Sequence, residues 1–266
     1  MFVGLSARTA FHSASHAASP QPLFGPVLCP YNGAMNRLAG HALVIASLTI
    51  GAWVSAAPCE KTDYPACEKG CAKKQGTSCM RLGFLLMGIE QGAPAKDDGK
   101  ARAAMEEACA LKTGEACVYA GTMAEVGRGQ KASIEVARAW WDKGCKQGHG
   151  GSCDKAAFSF YETGEKAKAA KYHELACRGG ETRDCGALGQ MEIQGDGIPA
   201  APERGVKRLI AACTDRGSGH ACVEAGVAYE KGEVGKAPDL ARARQLYAKG
   251  CAAKQKDERG CAYAKR

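Results

Sequence analysis

CKQGHGGSCDK, Cys145 to Lys155, carries three chemistries in one short stretch. Two cysteines enclose seven residues, His149 stands among glycines, and Ser152 to Lys155 forms a Ser-x-x-Lys tetrad. Such a stretch can hold a metal, activate a serine, or staple two helices. The choice turns on whether the pattern is unique, and it recurs. Cys71 and Cys79, Cys109 and Cys117, and Cys177 and Cys185 also enclose seven residues, Cys213 and Cys222 enclose eight, and Cys251 and Cys261 nine. The first cysteines of these pairs follow one another at 38, 36, 32, 36 and 38 residues. A period near 36 is that of a helical-hairpin solenoid, in which each unit buries its apolar face against the next.

Each unit reads outward from its cysteines. Four positions after the second cysteine stands a small residue, Gly83, Gly121, Ala157, Gly189 or Gly226, in a first helix that ends near Gly127, Gly164, Gly195 or Gly232. In the second helix, the position four before the next cysteine is usually large: Met105, Trp141, His173, Leu209 and Tyr247. The positions eight and one before it are small, as at Ala101 and Ala108 or Ala137 and Gly144. Spacings of four and seven put these on one helical face, where small residues allow close approach and the large one fills the gap. Each cysteine pair then joins the last turn of one helix to the first turns of the next, a geometry antiparallel neighbours can bring within disulfide range.

Composition agrees with helices. Of the 266 residues, 45% are hydrophobic but only 6% aromatic, a core of Ala, Leu and Cys rather than the β-branched and aromatic residues a sandwich needs. The net charge is +8; Arg8 and Arg37 are the basic residues of 1–57, which leaves 34 basic against 28 acidic residues beyond it. No basic run is dense enough to indicate nucleic acid.

Met35 to His41 resembles the short basic start of an export signal, Ala42 to Val54 its apolar segment, and Val54-Ser55-Ala56 its cleavage site. The expected organisation is 1–34, a gene-model extension or disordered leader that contains Cys29; 35–57, a signal peptide; 58–70, an N-terminal cap; and 71–266, the solenoid. An uncleaved anchor and an organelle-targeting leader are the competing readings of the N-terminus. The apolar run is short for a membrane span, so no stable span is expected in the mature protein. Fourteen cysteines remain after the leader, an even number suited to disulfides in an oxidising space, periplasmic or secreted. In sequence order the expected pairs are Cys59 with Cys67, Cys71 with Cys79, Cys109 with Cys117, Cys145 with Cys153, Cys177 with Cys185, Cys213 with Cys222, and Cys251 with Cys261. At the N-terminus, only Glu68-Lys69-Gly70 separates Cys67 from Cys71, and exchange of partners there is the competing pairing.

The run Tyr229 to Cys251, YEKGEVGKAPDLARARQLYAKGC, resembles a Sel1-like repeat, a relative of the tetratricopeptide repeat. With the cysteine pairs added, the stretch from Cys71 to the C-terminus resembles the Helicobacter cysteine-rich protein family. The unit at Cys145 departs from that pattern in a shortened loop between its helices, and the last two pairs are wider. The resemblance implies an all-α, αα-hairpin solenoid of Sel1-like repeats with about one disulfide per repeat. It also brings a β-lactamase label and penicillin binding associated with the group, so β-lactam or peptidoglycan-fragment binding or hydrolysis is the alternative function.

The residues themselves argue against the sharper chemistries. No Cys-x2-Cys is present and His149 has no counterpart in other loops, so no metal and no cofactor is expected. Ser152-Cys-Asp-Lys155 and Lys112-Thr113-Gly114 match two penicillin-recognising motifs but run in reversed order, and no Ser-Asp-Asn exists. Ser152 also occupies a small-residue slot before the second cysteine, filled elsewhere by Ser78, Ala116, Asp184, Ala221 and Gly260. No nucleophile, base and oxyanion set emerges. Trp141 and His173 belong to the core column, whereas Trp140 is the better candidate for a surface. The expected function is an exported, non-catalytic scaffold that binds a protein or peptide on its concave face, with Tyr119, Glu125, Tyr161, Gln190, Glu224 and Tyr229 as candidate contacts.

Overall fold

The computed structural model describes residues 59–60, 62–235 and 237–265. The expectations for 1–34 and for the signal peptide at 35–57 lie outside them. The described residues form helices without a strand: α1 (Tyr64–Ala72), α2 (Gly76–Met87), α3 (Asp98–Ala110), α4 (Gly114–Val126), α5 (Ile134–Lys146), α6 (Gly150–Glu162), α7 (Lys166–Arg178), α8 (Thr182–Gln194), α9 (Pro202–Thr214), α10 (Gly219–Glu230), α11 (Leu240–Ala252) and α12 (Glu258–Tyr263). Successive pairs from α2/α3 to α10/α11 pack as hairpins, and the even-numbered helices α4/α6 and α8/α10 touch across repeats. This is an all-α solenoid.

Its caps follow from local chemistry. Asp97, Ser133, Ser218 and Asp239 each accept a hydrogen bond from a backbone N–H in the first turn of the helix that follows. Gly127 and Gly195 end α4 and α8 in the left-handed region, where a Cβ would be strained. The tight turn between the bridged helices uses the same conformation one residue before the next N-cap. Gly148, Gly180 and Gly217 supply it in three units, and Lys74 and Lys112 adopt it with φ of 62° and 64°. Lys112-Thr113-Gly114 is therefore this repeated turn: Thr113 is the N-cap and Gly114 the first residue of α4.

The large-residue column packs as its spacing implies. A Cβ added at Gly83 would lie 2.7 Å from Met105, at Gly121 2.2 Å from Trp141, at Gly189 2.9 Å from Leu209, and at Gly226 2.5 Å from Tyr247. Each large side chain thus sits directly on the preceding helix, which only glycine lets it reach. Trp141 is 1% exposed, and its indole N–H donates to the Val118 carbonyl at 3.2 Å. Around the column the core is largely alanine, including Ala101, Ala108, Ala116, Ala137 and Ala176, each fully buried.

All seven cysteine pairs are bonded in sequence order, with Cα–Cα distances of 4.4 to 4.9 Å. Cys67 and Cys71 stand one turn apart on α1, each bonded to a different neighbour. α1 itself runs through the 70/71 position and packs on α2. Fourteen cysteines joined in this way are the chemistry of an oxidising compartment. Among the described residues, no helix is long and apolar enough to cross a membrane.

The unit at Cys145 has the short loop noted in the sequence, residues 163–165 between α6 and α7. Arg138 of α5 holds it. Its guanidinium donates to the Ser159 hydroxyl and carbonyl, to the Thr163 hydroxyl and to Glu165, and lies 4.3 Å from the Phe160 ring centroid.

Candidate functional site

The Ser152 tetrad can be judged from its surroundings. Ser152 is fully buried as the third residue of α6, and its hydroxyl lies 3.1 Å from His149 Nδ1 and 3.2 Å from the Gly114 carbonyl. The structure does bring the two motif fragments together, because equivalent turns stack from one repeat to the next. Their meeting is closed: a Cβ added at Gly144 would lie 2.2 Å from the Ser152 hydroxyl. His149 acts as the N-cap of α6, its ring nitrogen accepting from the Ser152 N–H at 3.2 Å. Serine here fills a packed slot and offers no surface to a lactam carbonyl.

An open cavity of about 390 Å³ lies instead between α6 and α8. The Cys145–Cys153 and Cys177–Cys185 bridges hold the first turns of these two helices to the helices before them. The floor of the cavity is formed by His173 of α7 and Asp184 of α8, and its wall by Asp154, Ala187 and Met191; Phe158, Tyr161 and Gln190 also line it. Phe158 is 60% exposed and Tyr161 39%, which makes the rim aromatic and open.

The floor is where this unit departs from the others. His173 stands in the large apolar column, and the residue it faces along the hairpin is Ala157, where the other units have glycine. Asp184 stands in the small-residue slot and is 1% exposed. The two departures meet: His173 Nδ1 and Asp184 Oδ1 are 2.6 Å apart. The second oxygen, Asp184 Oδ2, is buried with no hydrogen-bond partner. Burial pushes the Asp184 carboxyl up, and the nearby Asp154 carboxylate adds to the rise against the opposing effect of His173. Asp154 itself is held by Arg183 at 2.6 Å. At the outer end, Asp196 accepts from the Tyr161 hydroxyl at 2.9 Å and pairs with Lys166 at 2.5 Å. Those bonds lower the Asp196 carboxyl, Lys166 foremost, and the bond to Asp196 raises the Tyr161 phenol.

The raised Asp184 carboxyl has a signed consequence for stability. A folded state that holds this proton more tightly than the unfolded chain is favoured below the ordinary carboxyl value of 3.8 and loses that advantage as pH rises through the folded value. Asn at 184 keeps an acceptor for His173 and presents an N–H to Asp154. Asp184→Asn is therefore expected to melt above wild type at neutral pH, with the margin shrinking as pH falls towards 4. Thermal melts across pH check this; a variant that melts lower at neutral pH contradicts it.

Of the six contacts expected from sequence, Tyr161 and Gln190 are brought together in this cavity. Tyr119 is half-buried, its ring edge-on to Phe84 at 4.8 Å, and Tyr229 packs half-buried between two apolar clusters. Glu125 is exposed near the end of α4. Glu224 accepts from Arg259 at 3.0 Å within a cluster that includes His220 and Asp257. Trp140 is half-buried beneath Lys143, whose ammonium lies 5.0 Å from its ring centroid. In the sequence, His173 and Asp184 belong to two separate columns. Both flank the Cys177–Cys185 bridge, and that coincidence is the sequence signal that could have found the cavity.

The fold has solved counterparts. A Sel1 repeat protein from Oxalobacter formigenes is similar with a TM-score of 0.61 at 21% identity, over 71% of this chain and 79% of that one. A protective antigen present in uropathogenic Escherichia coli strains, displaying an SLR fold, is similar with a TM-score of 0.61 at 18% identity, over 75% of this chain. The match spans 47% of that antigen, about half its length. No family model matches the sequence, and no curated protein is similar to it. The chain has the Sel1-repeat fold.

Proposed function

We propose that this chain is an exported, non-catalytic scaffold that binds a peptide segment of another protein across the α6/α8 cavity. One observation carries the reading: an open cavity with exposed Phe158 and Tyr161 at its rim and a buried, half-satisfied carboxyl at its floor. Exposed aromatic side chains beside a few inward-facing polar groups are the usual make-up of a recognition pocket. The disulfides beside it favour binding, because a site held rigid in advance loses little freedom when occupied. Export is supported by the fourteen bonded cysteines, which call for an oxidising space.

The test is selection of peptides from a random displayed library against the oxidised protein. Phe158→Ala with Tyr161→Ala should weaken the selected peptides by about tenfold or more, as loss of two rim aromatics implies. The double variant should melt close to wild type. Selected peptides that bind the double variant equally well would remove the cavity from the account.

A further inference from the structure

The α6/α8 cavity has a charge pattern that specifies its occupant. Four carboxyl groups reach it, from Asp154, Glu162, Asp184 and Asp196, against one guanidinium, that of Arg183. Two of the four are already engaged: Asp154 by Arg183 at 2.6 Å, and Asp196 by Lys166 at 2.5 Å and Tyr161 at 2.9 Å. Asp184 differs from these. It is 1% exposed, His173 occupies its Oδ1, and its Oδ2 has no hydrogen-bond donor. The neighbouring Asp154 carboxylate brings no proton of its own; it meets Oδ2 only when Asp184 itself carries the proton that burial favours, and a donor from a cationic side chain takes that proton's place.

A buried acceptor without a donor is destabilising, the more so when it is charged. Natural cores avoid that cost, and the other units here avoid it by placing Ser, Ala or Gly in the same slot. In this unit the unsatisfied oxygen stands instead at the floor of an open cavity. The complementary group is a cation with N–H donors.

We infer that the cavity takes up the basic side chain of a bound peptide, an arginyl guanidinium or lysyl ammonium that donates to Asp184 Oδ2. The inference rests on the reading of the cavity as a peptide pocket and names what that pocket selects. The stem of such a side chain is apolar and matches Ala187 and Met191 on the wall, while the Tyr161 and Phe158 rings at the rim offer faces that attract cations. Lys166 lies 5.4 Å from the Tyr161 ring centroid, so the Phe158 ring is the freer of the two faces. An acidic peptide has no comparable reception, since Arg183 is paired and the remaining charges in the cavity repel it.

The experiment uses the peptides selected from the random library, with affinities measured by calorimetry. One position is expected to be enriched in Arg or Lys, and norleucine at that position should weaken binding by at least about tenfold, as loss of a desolvated ion pair implies. Asp184→Asn should cause a loss of similar size. Gln190→Arg serves as a second variant at a half-exposed wall position; it places a cation in the cavity without touching the buried pair and should also abolish binding. Arginine and lysine versions of each peptide compare the two head groups. Selected peptides without a basic position, or with affinities unchanged by Gln190→Arg, would overturn the cation inference while leaving a peptide pocket in place. Failure to select any peptide would remove the proposed function as well, and the inference with it.

Discussion

Complete reduction of the seven disulfides is expected to unfold the chain at physiological temperature. Each bridge closes a loop with a sequence separation of 8 to 10 residues. In the chain-entropy model a loop of that size is worth about 2–3 kcal/mol. Seven bridges of this size together match or exceed the roughly 5–15 kcal/mol net stability of an ordinary domain. Two features of this chain make the dependence stronger. Its core is built on alanine, which buries little surface per residue, and a solenoid repeat touches only its neighbours, so no distant contact compensates for a lost one. Far-ultraviolet circular dichroism with a phosphine reductant should show loss of helix and of the cooperative melt. The reaction should begin at the C-terminal bridge, where Cys251 and Cys261 are both half-exposed, whereas Cys109 and Cys117 of an inner bridge are fully buried. A fully reduced protein that keeps its helical signal and its melting transition would contradict this.

Trp141→Ala is expected to cost about 3–5 kcal/mol, the range for truncating a buried aromatic. Trp141 is the largest side chain of the column, 1% exposed, and its ring lies against Gly121 of the preceding helix. The converse change is also costly. Gly121→Ala would place a Cβ 2.2 Å from Trp141 Nε1, with an expected penalty of about 1–3 kcal/mol for overpacking. Because the two residues share one space, the double variant should be less destabilised than the sum of the singles. Denaturant melts of the four proteins check the cycle, and simple additivity would mean that ring and glycine are not in contact. The unit with Ala157 facing His173 carries a methyl where its counterparts have none, and a smaller polar ring above it.

The repeat was legible because its physics is local. A disulfide between adjacent helices, a glycine beneath a large side chain and a left-handed residue in a tight turn each recur at fixed offsets. Ser152 could be recognised as slot-filling for the same reason, since Ser78 and Ala116 occupy the same offset. What was not legible depended on which unlike residues meet in space. Tyr119 could be placed on a first helix but not against Phe84, which comes from the preceding repeat. Arg138 gave no sign of reaching across to α6 and the loop that follows it, although its bonds to Ser159 and Thr163 hold the short loop. Asp184 and His173 each read as an ordinary member of its own column. Only their 2.6 Å contact, and the oxygen left over from it, marks the cavity as a place of recognition.

Hydrogen–deuterium exchange of the oxidised protein, with and without a selected peptide, tests most directly whether the α6/α8 cavity is the binding site. The expected footprint is slowed exchange confined to the second half of α6, around Phe158 to Glu162, and to α8 around Ala187 to Gln194. Protection centred on another pair of repeats, with these segments unchanged, would contradict it.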